Sequence, residues 1–305
     1  MKLAVLMATY NGEKYIDAQI ESILQQKLDI PFDLIVRDDG STDRTLEILE
    51  AYQNKGLLKY YTGENLGAAK SFIHLLRSNP GYDYYAFADQ DDVWNLDKLA
   101  IGLNAVKDLA GPGIYCTNAA LVDEKLQSLG RNTHRNIPTY NLTSILCLAS
   151  CAQGCTSVFT KELAQVIQER EMPDVFIMHD SLLTCLCALL GGKVIYDHNP
   201  SMQYRMHSSN VFGMVTAKQS LTRVIKSRIK EITTKPKVSM YIQAENILRT
   251  YKDKIPEKNQ KLCQVVIRAE KSLGARLQLV FSKELKHDTL NKTITKKLQI
   301  LLGND

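Results

Sequence analysis

The sequence predicts an α/β protein in which helices cover both faces of a mostly parallel sheet, followed by an α-helical C-terminal extension. Short apolar runs alternate with helical periodicity up to about residue 115, and polar clusters follow several of these runs. Beyond Thr216 the pattern is helical only. With 305 residues, of which 45% are hydrophobic and 23% charged, the composition excludes a disordered chain, collagen and a small disulfide scaffold.

Each element of the first part follows from its own residues. Apolar runs of strand length alternate with segments whose apolar residues recur every three or four positions. In chain order these are a strand at Leu3 to Ala8, a helix at Tyr15 to Leu24, a strand at Asp33 to Arg37, a helix carrying Leu46 to Leu49, a strand at Leu57 to Tyr61, a helix at Ala68 to Leu76 and a strand at Tyr84 to Ala88. Such alternation favours parallel pairing, because a helix returns the chain to the same end of the sheet.

The pattern is less regular from Ile114 to about Val215. Strands and helices are predicted there in the order Gly113 to Thr117, Thr143 to Ala149 (helix), Thr156 to Phe159, Lys161 to Glu169 (helix), Asp180 to Leu190 (helix) and Lys193 to Asp197. The tail that follows is predicted as helices broken at Pro236 and Pro256.

The net charge of +5 conceals an asymmetry along the chain. Residues 216–305 contain 20 of the 38 Lys and Arg but 8 of the 33 Asp and Glu, a net charge of +12, and residues 1–215 carry −7. We therefore predict a folded, acidic domain at 1–215 and a basic helical region at 216–305 that meets an anionic partner or another chain. Few aromatic residues accompany the basic ones, so nucleic acid is not the expected partner.

The cysteines and the apolar segments indicate the compartment. Seven cysteines form no CxxC pair, which favours free buried thiols in a reducing cytoplasm. No uninterrupted apolar stretch reaches the roughly 18 residues of a bilayer span, so any membrane contact is expected to be peripheral. The apolar run before Asn11 is too short for a signal peptide and is assigned to the first strand.

The densest acidic cluster is Asp89-Gln90-Asp91-Asp92, which directly follows a predicted strand. Carboxylates this close repel one another unless a cation neutralises them, and two of them can reach one hard ion such as Mg²⁺ or Mn²⁺. A solvated acidic turn, or Asp92 capping the next helix, would give the same pattern. The cluster alone leaves these alternatives open.

A second acidic segment, Asp38-Asp39-Gly40-Ser41-Thr42-Asp43, follows another predicted strand. Its carboxylates could accept hydrogen bonds from a base or a ribose, although a turn with a helix cap is the ordinary interpretation of such a segment on its own. The glycine-rich dinucleotide fingerprint and the Walker phosphate loop are both missing from the sequence. Their absence disfavours NAD-dependent oxidoreductases and P-loop NTPases.

Taken in order, four segments resemble the successive motifs of glycosyltransferase family 2, the inverting nucleotide-sugar transferases of the GT-A fold. The segments are Thr9-Tyr10-Asn11, Asp38 to Asp43, Glu64-Asn65-Leu66-Gly67 and Asp89 to Asp92. The stretch from Ala88 to Trp94 is similar to that of bacterial rhamnosyltransferases that build cell-wall or O-antigen polysaccharide. The resemblance covers about residues 1–215 and leaves out the basic tail.

The resemblance implies which residues bind the donor and a metal ion. The donor set is Thr9, Tyr10, Asn11, Asp38, Asp39, Asn65, Gly67, Asp89 and Arg205. The implied ligands of Mg²⁺ or Mn²⁺ are Asp89 and Asp91, with Asp91 the better candidate for direct ligation, and His207 could complete the set. Arg205 would neutralise the diphosphate leaving group as charge develops on it.

The segment from Phe176 to Asp180 matches the place where the family carries its general base, an acidic residue at the start of a helix. We predict Asp180 as the base, because a carboxylate can take the proton of an acceptor hydroxyl as its oxygen attacks the anomeric carbon. A helix cap is the alternative role of Asp180, and His179 is either its neighbour or the base itself. Gly154-Cys155-Thr156 matches a family segment near the sugar, and Trp94 is either a core residue or a stacking wall.

In the tail, apolar and basic residues separate onto two sides of one predicted helix between Val215 and Ile232. Such a helix can lie on an anionic membrane surface, or it can pack on the catalytic domain with its basic face in solvent. Further apolar positions between Leu262 and Val280 indicate packing within the tail or against a second chain, as in a homo-oligomer.

Together these features predict a metal-dependent inverting glycosyltransferase at the cytoplasmic face of the membrane. Its predicted reaction moves L-rhamnose from dTDP-β-L-rhamnose to a hydroxyl of a lipid-linked cell-wall or O-antigen precursor, a donor that the resemblance alone suggests. The alternatives are another donor such as a UDP-hexose, and a non-catalytic nucleotide-sugar-binding or scaffold protein of the same fold.

Overall fold

A nine-stranded sheet organises the computed structural model, which describes residues 1–207, 236 and 238–305. The strands are β1 (Leu3–Thr9), β2 (Phe32–Asp38), β3 (Lys59–Thr62), β4 (Tyr84–Ala88), β5 (Val93–Trp94), β6 (Gly113–Val122), β7 (Ser128–Asn132), β8 (Val158–Thr160) and β9 (Lys193–Arg205). They lie in the order β3-β2-β1-β4-β8-β6-β9-β5, and β7 pairs with β6.

Helices follow most of the strands and then continue alone. They are α1 (Ile16–Leu24), α2 (Thr45–Asn54), α3 (Ala68–Ser78), α4 (Lys98–Val106), α5 (Leu142–Leu146), α6 (Lys161–Gln168), α7 (His179–Leu189), α8 (Met240–Tyr251), α9 (Glu257–Ala269), α10 (Leu273–Val280) and α11 (Leu290–Leu302). Short 3₁₀ turns lie at Gly154–Thr156 and Lys252–Lys254.

Parallel pairing joins β1 to β2 and β4, β2 to β3, and β6 to β9. The antiparallel strand β8 lies between β4 and β6 and connects the two parallel parts. The register sets Thr9 opposite Asp38 and Met7 opposite Ala88, so β1, β2 and β4 end almost level with one another. The polar residues that follow these strands therefore emerge at one edge of the sheet.

Both faces of the sheet are covered, as the sequence predicts. Alternate residues of β1 belong to different hydrophobic clusters, with Val5 and Met7 in one and Ala4 and Leu6 in the other. The fully apolar strands are explained by this arrangement, because a strand covered by helices on both sides has no solvent face. The predicted α/β class with a helical C-terminal region is confirmed.

The helical C-terminal region shares its core with the sheet domain. Tyr241 and Ile247 of α8 are buried in the same cluster as Leu183 of α7 and Phe87 of β4. The backbone carbonyl of Glu284 also accepts hydrogen bonds from side chains of the segment around α5, at 2.7 and 2.8 Å. The charge boundary near residue 215 therefore does not separate two hydrophobic cores among the described residues.

Other predictions about the tail are met only partly or are not tested. Val265 and Val266 are buried, whereas Leu273 is 59% and Phe281 78% exposed. The basic helix predicted between residues 215 and 232 lies outside the described residues. Within the described part, no helix is both long and apolar enough to span a bilayer.

Three local predictions differ from the structure. The segment predicted as one strand from Thr156 to Phe159 is a 3₁₀ turn followed by the three-residue β8. The strand at Lys193 continues to Arg205, because it pairs with β6 from Gly113 to Val122. The two-residue strand β5 is too short to leave a periodic signal, and β7 contains one apolar residue, Leu129, so neither strand was predicted.

Candidate active site

The loop after β4 and the end of β9 bring Asp91 and His207 together. Asp91 Oδ2 and His207 Nε2 lie 2.7 Å apart, and both side chains are largely buried. The imidazole also stacks on the ring of Tyr15 from the start of α1, with 5.0 Å between centroids. Two of the three predicted metal ligands thus lie in contact although 116 residues separate them.

Asp89 lies in the same acidic environment. Burial, followed by the charges of Asp91 and Asp180, raises the pKa of Asp89 to about 7. The carboxylates therefore disfavour one another's ionisation, and a divalent cation would relieve this repulsion. Carboxylate oxygens and an imidazole nitrogen are donor atoms that suit Mn²⁺ or Mg²⁺, and the binding of one ion by Asp89, Asp91 and His207 together stays a prediction.

A second group of possible ligands lies beneath this site. Within the described ranges, ligand atoms of Asp89, Asp92 and Cys155 lie within 4.8 Å of one another. Burial raises the pKa of the Cys155 thiol well above its usual value, and a protonated thiol is a poor ligand. Asp92 Oδ1 already accepts the backbone N–H of Arg205 at 3.1 Å. We therefore prefer Asp91 and His207 to Asp92 and Cys155 as partners of Asp89.

A buried cation, Lys98, lies near Asp92 and Cys155. It is 1% exposed, its Nζ lies 3.8 Å from the centre of the Trp94 ring, and burial lowers its pKa to about 7. Trp94 is itself 3% exposed. Of the two roles considered for Trp94, the structure therefore supports the core residue and not the stacking wall.

Arg205 braces the loop that carries the acidic cluster. Its Nε donates to the carbonyl of Asp91 at 2.7 Å and its Nη1 to the carbonyl of Glu124 at 2.7 Å. Its guanidinium lies over the ring of Tyr15, 4.6 Å from the centroid. The side chain is buried and adjacent to the candidate metal ligands, and its effect on a diphosphate stays a prediction.

The predicted nucleotide contacts Asp38 and Asp39 are buried and already hydrogen-bonded within the protein. Asp38 accepts hydrogen bonds from the Thr9 hydroxyl at 3.1 Å and from the backbone N–H of Ser41 at 2.8 Å. Asp39 pairs with Arg37 and accepts the Gly67 N–H at 2.8 Å. These carboxylates therefore connect the first three motifs, and their contact with a nucleotide stays a prediction.

Gly67 and Asn65 lie where α3 begins. The Asn65 side-chain oxygen accepts the N–H of Gly67 at 3.1 Å, and Gly67 has φ +75°, a conformation that glycine adopts without strain. A cleft of about 390 Å³ lies beside this turn. Ala68 and Ala69 line one side of it, and Phe176 and Met178 line the other.

Gln90, which the sequence analysis did not single out, connects two predicted donor-binding segments. Its side chain accepts the N–H of Tyr10 at 2.9 Å and donates to the Tyr10 carbonyl at 3.0 Å. Asn11, in the left-handed region at φ +48°, accepts the N–H of Thr42 at 2.8 Å. A side chain at Gly12 would overlap Gln90, which explains the glycine at this position.

Asp180, the candidate base, lies in the first turn of α7. Its Oδ1 accepts the Ser181 N–H at 2.6 Å, and its Oδ2 accepts the Gly154 N–H at 3.2 Å. A side chain at Gly154 would overlap His179, so the 3₁₀ turn can approach α7 only with glycine there. Asp180 therefore bonds the helix start and still carries a charge near Asp89.

His179 is less suited to act as the base. Its ring stacks on Phe72 at 4.1 Å between centroids and meets the edge of Phe87 at 5.1 Å. Burial lowers its pKa, and neither ring nitrogen has a hydrogen-bond partner among the described residues. The geometry therefore favours Asp180 over its neighbour.

Comparison with known proteins identifies the family of the chain. The family model described as "Glycosyl transferase family 2" matches residues 4–166 of this chain. The chain is 30% identical over 222 residues to the dTDP-rhamnosyl transferase RfbG of Shigella flexneri, covering 68% of this chain and 73% of RfbG. It is 38% identical over 103 residues to the poly(ribitol-phosphate) beta-N-acetylglucosaminyltransferase TarS of Staphylococcus aureus, covering 32% of this chain and 18% of TarS.

Two solved structures share the fold. Residues 1–349 of S. aureus TarS in complex with UDP superpose with a TM-score of 0.54 at 20% identity, covering 99% of this chain and 89% of that one. The mannosyltransferase PcManGT of Pyrobaculum calidifontis, in complex with GDP-Man and Mn²⁺, gives 0.50 at 16% identity, covering 96% and 73%. Both are glycosyltransferases whose chain path follows the one described here.

Proposed function

The chain belongs to glycosyl transferase family 2, and from that premise we propose that it transfers L-rhamnose from dTDP-β-L-rhamnose to a lipid-linked cell-wall or O-antigen polysaccharide precursor. The observation that carries the proposal is the contact between Asp91 and His207, beside an Asp89 whose pKa is raised by burial and by the charges of Asp91 and Asp180. The donor is supported by the similarity to RfbG over two thirds of the chain.

In the proposed reaction Asp180 takes the proton of an acceptor hydroxyl while that oxygen forms its bond to the anomeric carbon. The bond from that carbon to the diphosphate breaks, and dTDP leaves with the electron pair. Attack from the face opposite the leaving group inverts the configuration, so a β-linked donor gives an α-linked product. The two backbone N–H groups on its carboxylate keep Asp180 oriented for this step.

The acidic edge would bind the donor through its diphosphate. Asp89, Asp91 and His207 would hold Mg²⁺ or Mn²⁺, which supplies electrostatic stabilisation of the diphosphate as it departs. Arg205 braces the backbone of Asp91, and its positive charge would counter the negative charge that develops on the diphosphate. Thr9, Tyr10, Asn11 and the loops that Asp38 and Asp39 organise would surround the nucleotide.

The acceptor would enter through the cleft beside α3. Met178 lines this cleft and lies two residues before the candidate base. The small side chains of Ala68 and Ala69 leave room for a sugar ring there. An acceptor hydroxyl could therefore approach Asp180 without displacing the donor.

A UDP-hexose is the second candidate donor. The stretch that matches TarS has higher identity, 38%, than the longer match to RfbG, although it spans 103 residues. TarS is named an N-acetylglucosaminyltransferase, so the same site geometry could hold another sugar. Pocket shape, and not the motifs, decides between these donors.

For the basic tail we propose attachment to the anionic inner surface of the cell membrane, where a lipid-linked acceptor would be found. The net charge of +12 over residues 216–305 supports this. Flotation with phosphatidylglycerol vesicles and with phosphatidylcholine vesicles would test it, since equal binding to both would refute the electrostatic account.

Light scattering in the same buffer would detect the alternative, a homo-oligomer formed through the exposed apolar side chains of α10 and α11.

A donor panel tests the reaction itself. Purified protein with Mn²⁺ and an acceptor extract is incubated with dTDP-rhamnose, UDP-GlcNAc, UDP-glucose or GDP-mannose, and the released nucleotide is measured. We expect dTDP to be released fastest, and EDTA to abolish the release. Faster turnover of UDP-GlcNAc would reject rhamnose and retain the class, whereas nucleotide binding without turnover of any donor would favour the non-catalytic alternative.

A further inference from the structure

A glutamine of the C-terminal region reaches the segment that carries the candidate base. Gln243 lies on α8 and is 2% exposed. Its Oε1 accepts the backbone N–H of Ile177 at 3.0 Å and the hydroxyl of Ser181 at 2.8 Å. Its Nε2 donates to Cys185 Sγ at 3.5 Å, so the whole amide is directed at α7 and the residues before it.

The two donors stand on either side of Asp180. Ile177 precedes α7, and Ser181 follows Asp180 within its first turn. Met178, at the N-cap position, makes no side-chain capping bond, and the Gln243 amide holds the residue before it instead. One oxygen atom from another element therefore fixes the chain before and after the candidate base.

Ser181 transmits this restraint to the carboxylate. Its hydroxyl donates to Gln243, and its backbone N–H donates to Asp180 Oδ1 at 2.6 Å. The other carboxylate oxygen is held by Gly154 at 3.2 Å. The direction of the Asp180 carboxylate thus depends on where Ser181 lies, and Ser181 is positioned by Gln243.

We propose that Gln243 is a positioning residue for catalysis, which directs the Asp180 carboxylate toward the acceptor hydroxyl and makes α8 part of the catalytic machinery. This inference rests on the proposed function, in which Asp180 is the general base. Gln243 touches neither donor nor acceptor in this scheme. Its contribution is to reduce the orientations that Asp180 can adopt, and a displacement of about 1 Å at a reacting group can cost roughly 10²-fold in rate.

The first test compares two buried amides of the same helix. Gln243→Met keeps the side-chain length and removes the acceptor oxygen, whereas Asn246→Leu removes an amide whose partners among the described residues are Ile242 and Arg249 of α8. We expect kcat to fall by about 10²-fold in Gln243→Met with the KM for the donor unchanged, and to stay near wild type in Asn246→Leu. Gln243→Glu, which restores the acceptor oxygen, should recover part of the loss. Equal kcat losses in Gln243→Met and Asn246→Leu would overturn the proposal.

The second test is a double-mutant cycle with the base. If Gln243 acts through Asp180, Gln243→Met should cause little further loss in an Asp180→Asn background. A structural role would instead cost the same factor in both backgrounds, and that result would refute the positioning role. If Gln243→Met does not fold, Ser181→Ala enters the same cycle, because it removes the link between the two residues.

A third measurement separates this inference from the reaction assigned to the protein. Amide hydrogen exchange is measured in the intact protein and read from the proteolytic peptide that spans residues 174–182. This measurement needs no substrate. We expect faster exchange at Ile177 in Gln243→Met and unchanged exchange in Asn246→Leu, since the Ile177 N–H would lose its acceptor. Wild-type protein that transfers no sugar would refute the proposed function, whereas unchanged exchange at Ile177 would refute the positioning contact alone.

Discussion

Asp180 is held by two backbone N–H groups from different elements, which restricts its carboxylate without burying it completely. We expect Asp180→Asn to keep this geometry, because the amide oxygen can accept one of the same bonds, but to lose the ability to take a proton. The expected loss in kcat is roughly 10²- to 10⁴-fold, measured as released nucleotide under saturating donor. Nucleotide affinity by calorimetry should be unchanged, and full turnover in this variant would exclude Asp180 as the base.

The contact between Asp91 and His207 gives a second prediction for single residues. Removing one metal ligand in His207→Ala should weaken Mn²⁺ binding by at least about 10-fold, the lower bound for disturbing groups around a metal site. The concentration of Mn²⁺ that gives half-maximal activity would report this shift. The matched control is His198→Ala, an exposed histidine of β9. Identical metal requirements in both variants would remove His207 from the proposed ligand set.

Sequence motifs predicted the site residues that stand close together in the chain. They missed residues whose role depends on contacts between segments that are distant in sequence. The acidic cluster at Asp89 and Asp91 could be recognised because its charges stand close together in the chain. Gln90 and Gln243 left no such signal, because the identity of an isolated glutamine does not show whether it bridges two segments or lies in solvent. Tyr15, which stacks on His207, was assigned only to the apolar face of a helix.

Among the elements, the segment that leads into α11 contacts the sheet domain at Asp288, which lies beside two histidines. Asp288 accepts from Lys292 at 2.9 Å and lies 2.5 Å from His287 Nδ1, and its carbonyl accepts the Asn136 side chain at 3.1 Å. His134 lies 3.9 Å from the same carboxylate. Burial lowers the pKa of both histidines despite this carboxylate.

This cluster predicts how stability depends on pH. The unfolded chain, with histidine pKa values of about 6.5, binds protons more readily than the folded chain, so this contribution to stability is present above about pH 6.5 and is lost as the pH falls. We expect the two histidines to lower Tm between pH 7.5 and 5.5, so that Tm in the wild type changes less favourably over this range than in the His134→Gln/His287→Gln variant. His198→Gln serves as the exposed control. Equal pH dependence in the double variant and the wild type would contradict the prediction.

The strands that could be predicted are those whose burial is set by the sheet as a whole. β1 and β4 are buried on both faces and therefore consist largely of apolar residues, and β2 contains a shorter buried apolar run from Leu34 to Val36. β9 is exposed or half-buried over most of its length, and its extent is decided by pairing with β6, which the sequence does not display. The same applies to β5, whose two residues pair with the far end of β9.

At the scale of the whole molecule, the shared core makes the described C-terminal helices part of one folding unit. Ending the chain at residue 215 would expose the cluster around Leu183 that Tyr241, Ile247 and Tyr251 cover. We expect the truncated protein to be insoluble or to melt far below the full chain. Calorimetry of the full chain should give one transition with matching calorimetric and van't Hoff enthalpies. Two separate transitions, one of them retained by the truncated protein, would disprove a common unit.

The charge split along the chain correctly marked a change in composition but carried no information about packing. A boundary in net charge reflects which residues face solvent or a partner, whereas a core is defined by contacts between residues that are distant in sequence. Tyr241 and Phe87, which belong to one cluster, are separated by more than half of the chain. Only the folded structure brings such pairs together.

The bond from Gln243 to the entry of α7 also limits how relatives of this protein can be recombined. A chimera that keeps residues 1–215 and receives the helices of another family member inherits a foreign side chain opposite Ile177 and Ser181. Unless that side chain offers an acceptor oxygen at the position of Gln243, the chimera can fold and still have a low kcat. An exchange of C-terminal regions would therefore have to include residues 174–181 together with α8. The same holds for any attempt to retarget such an enzyme.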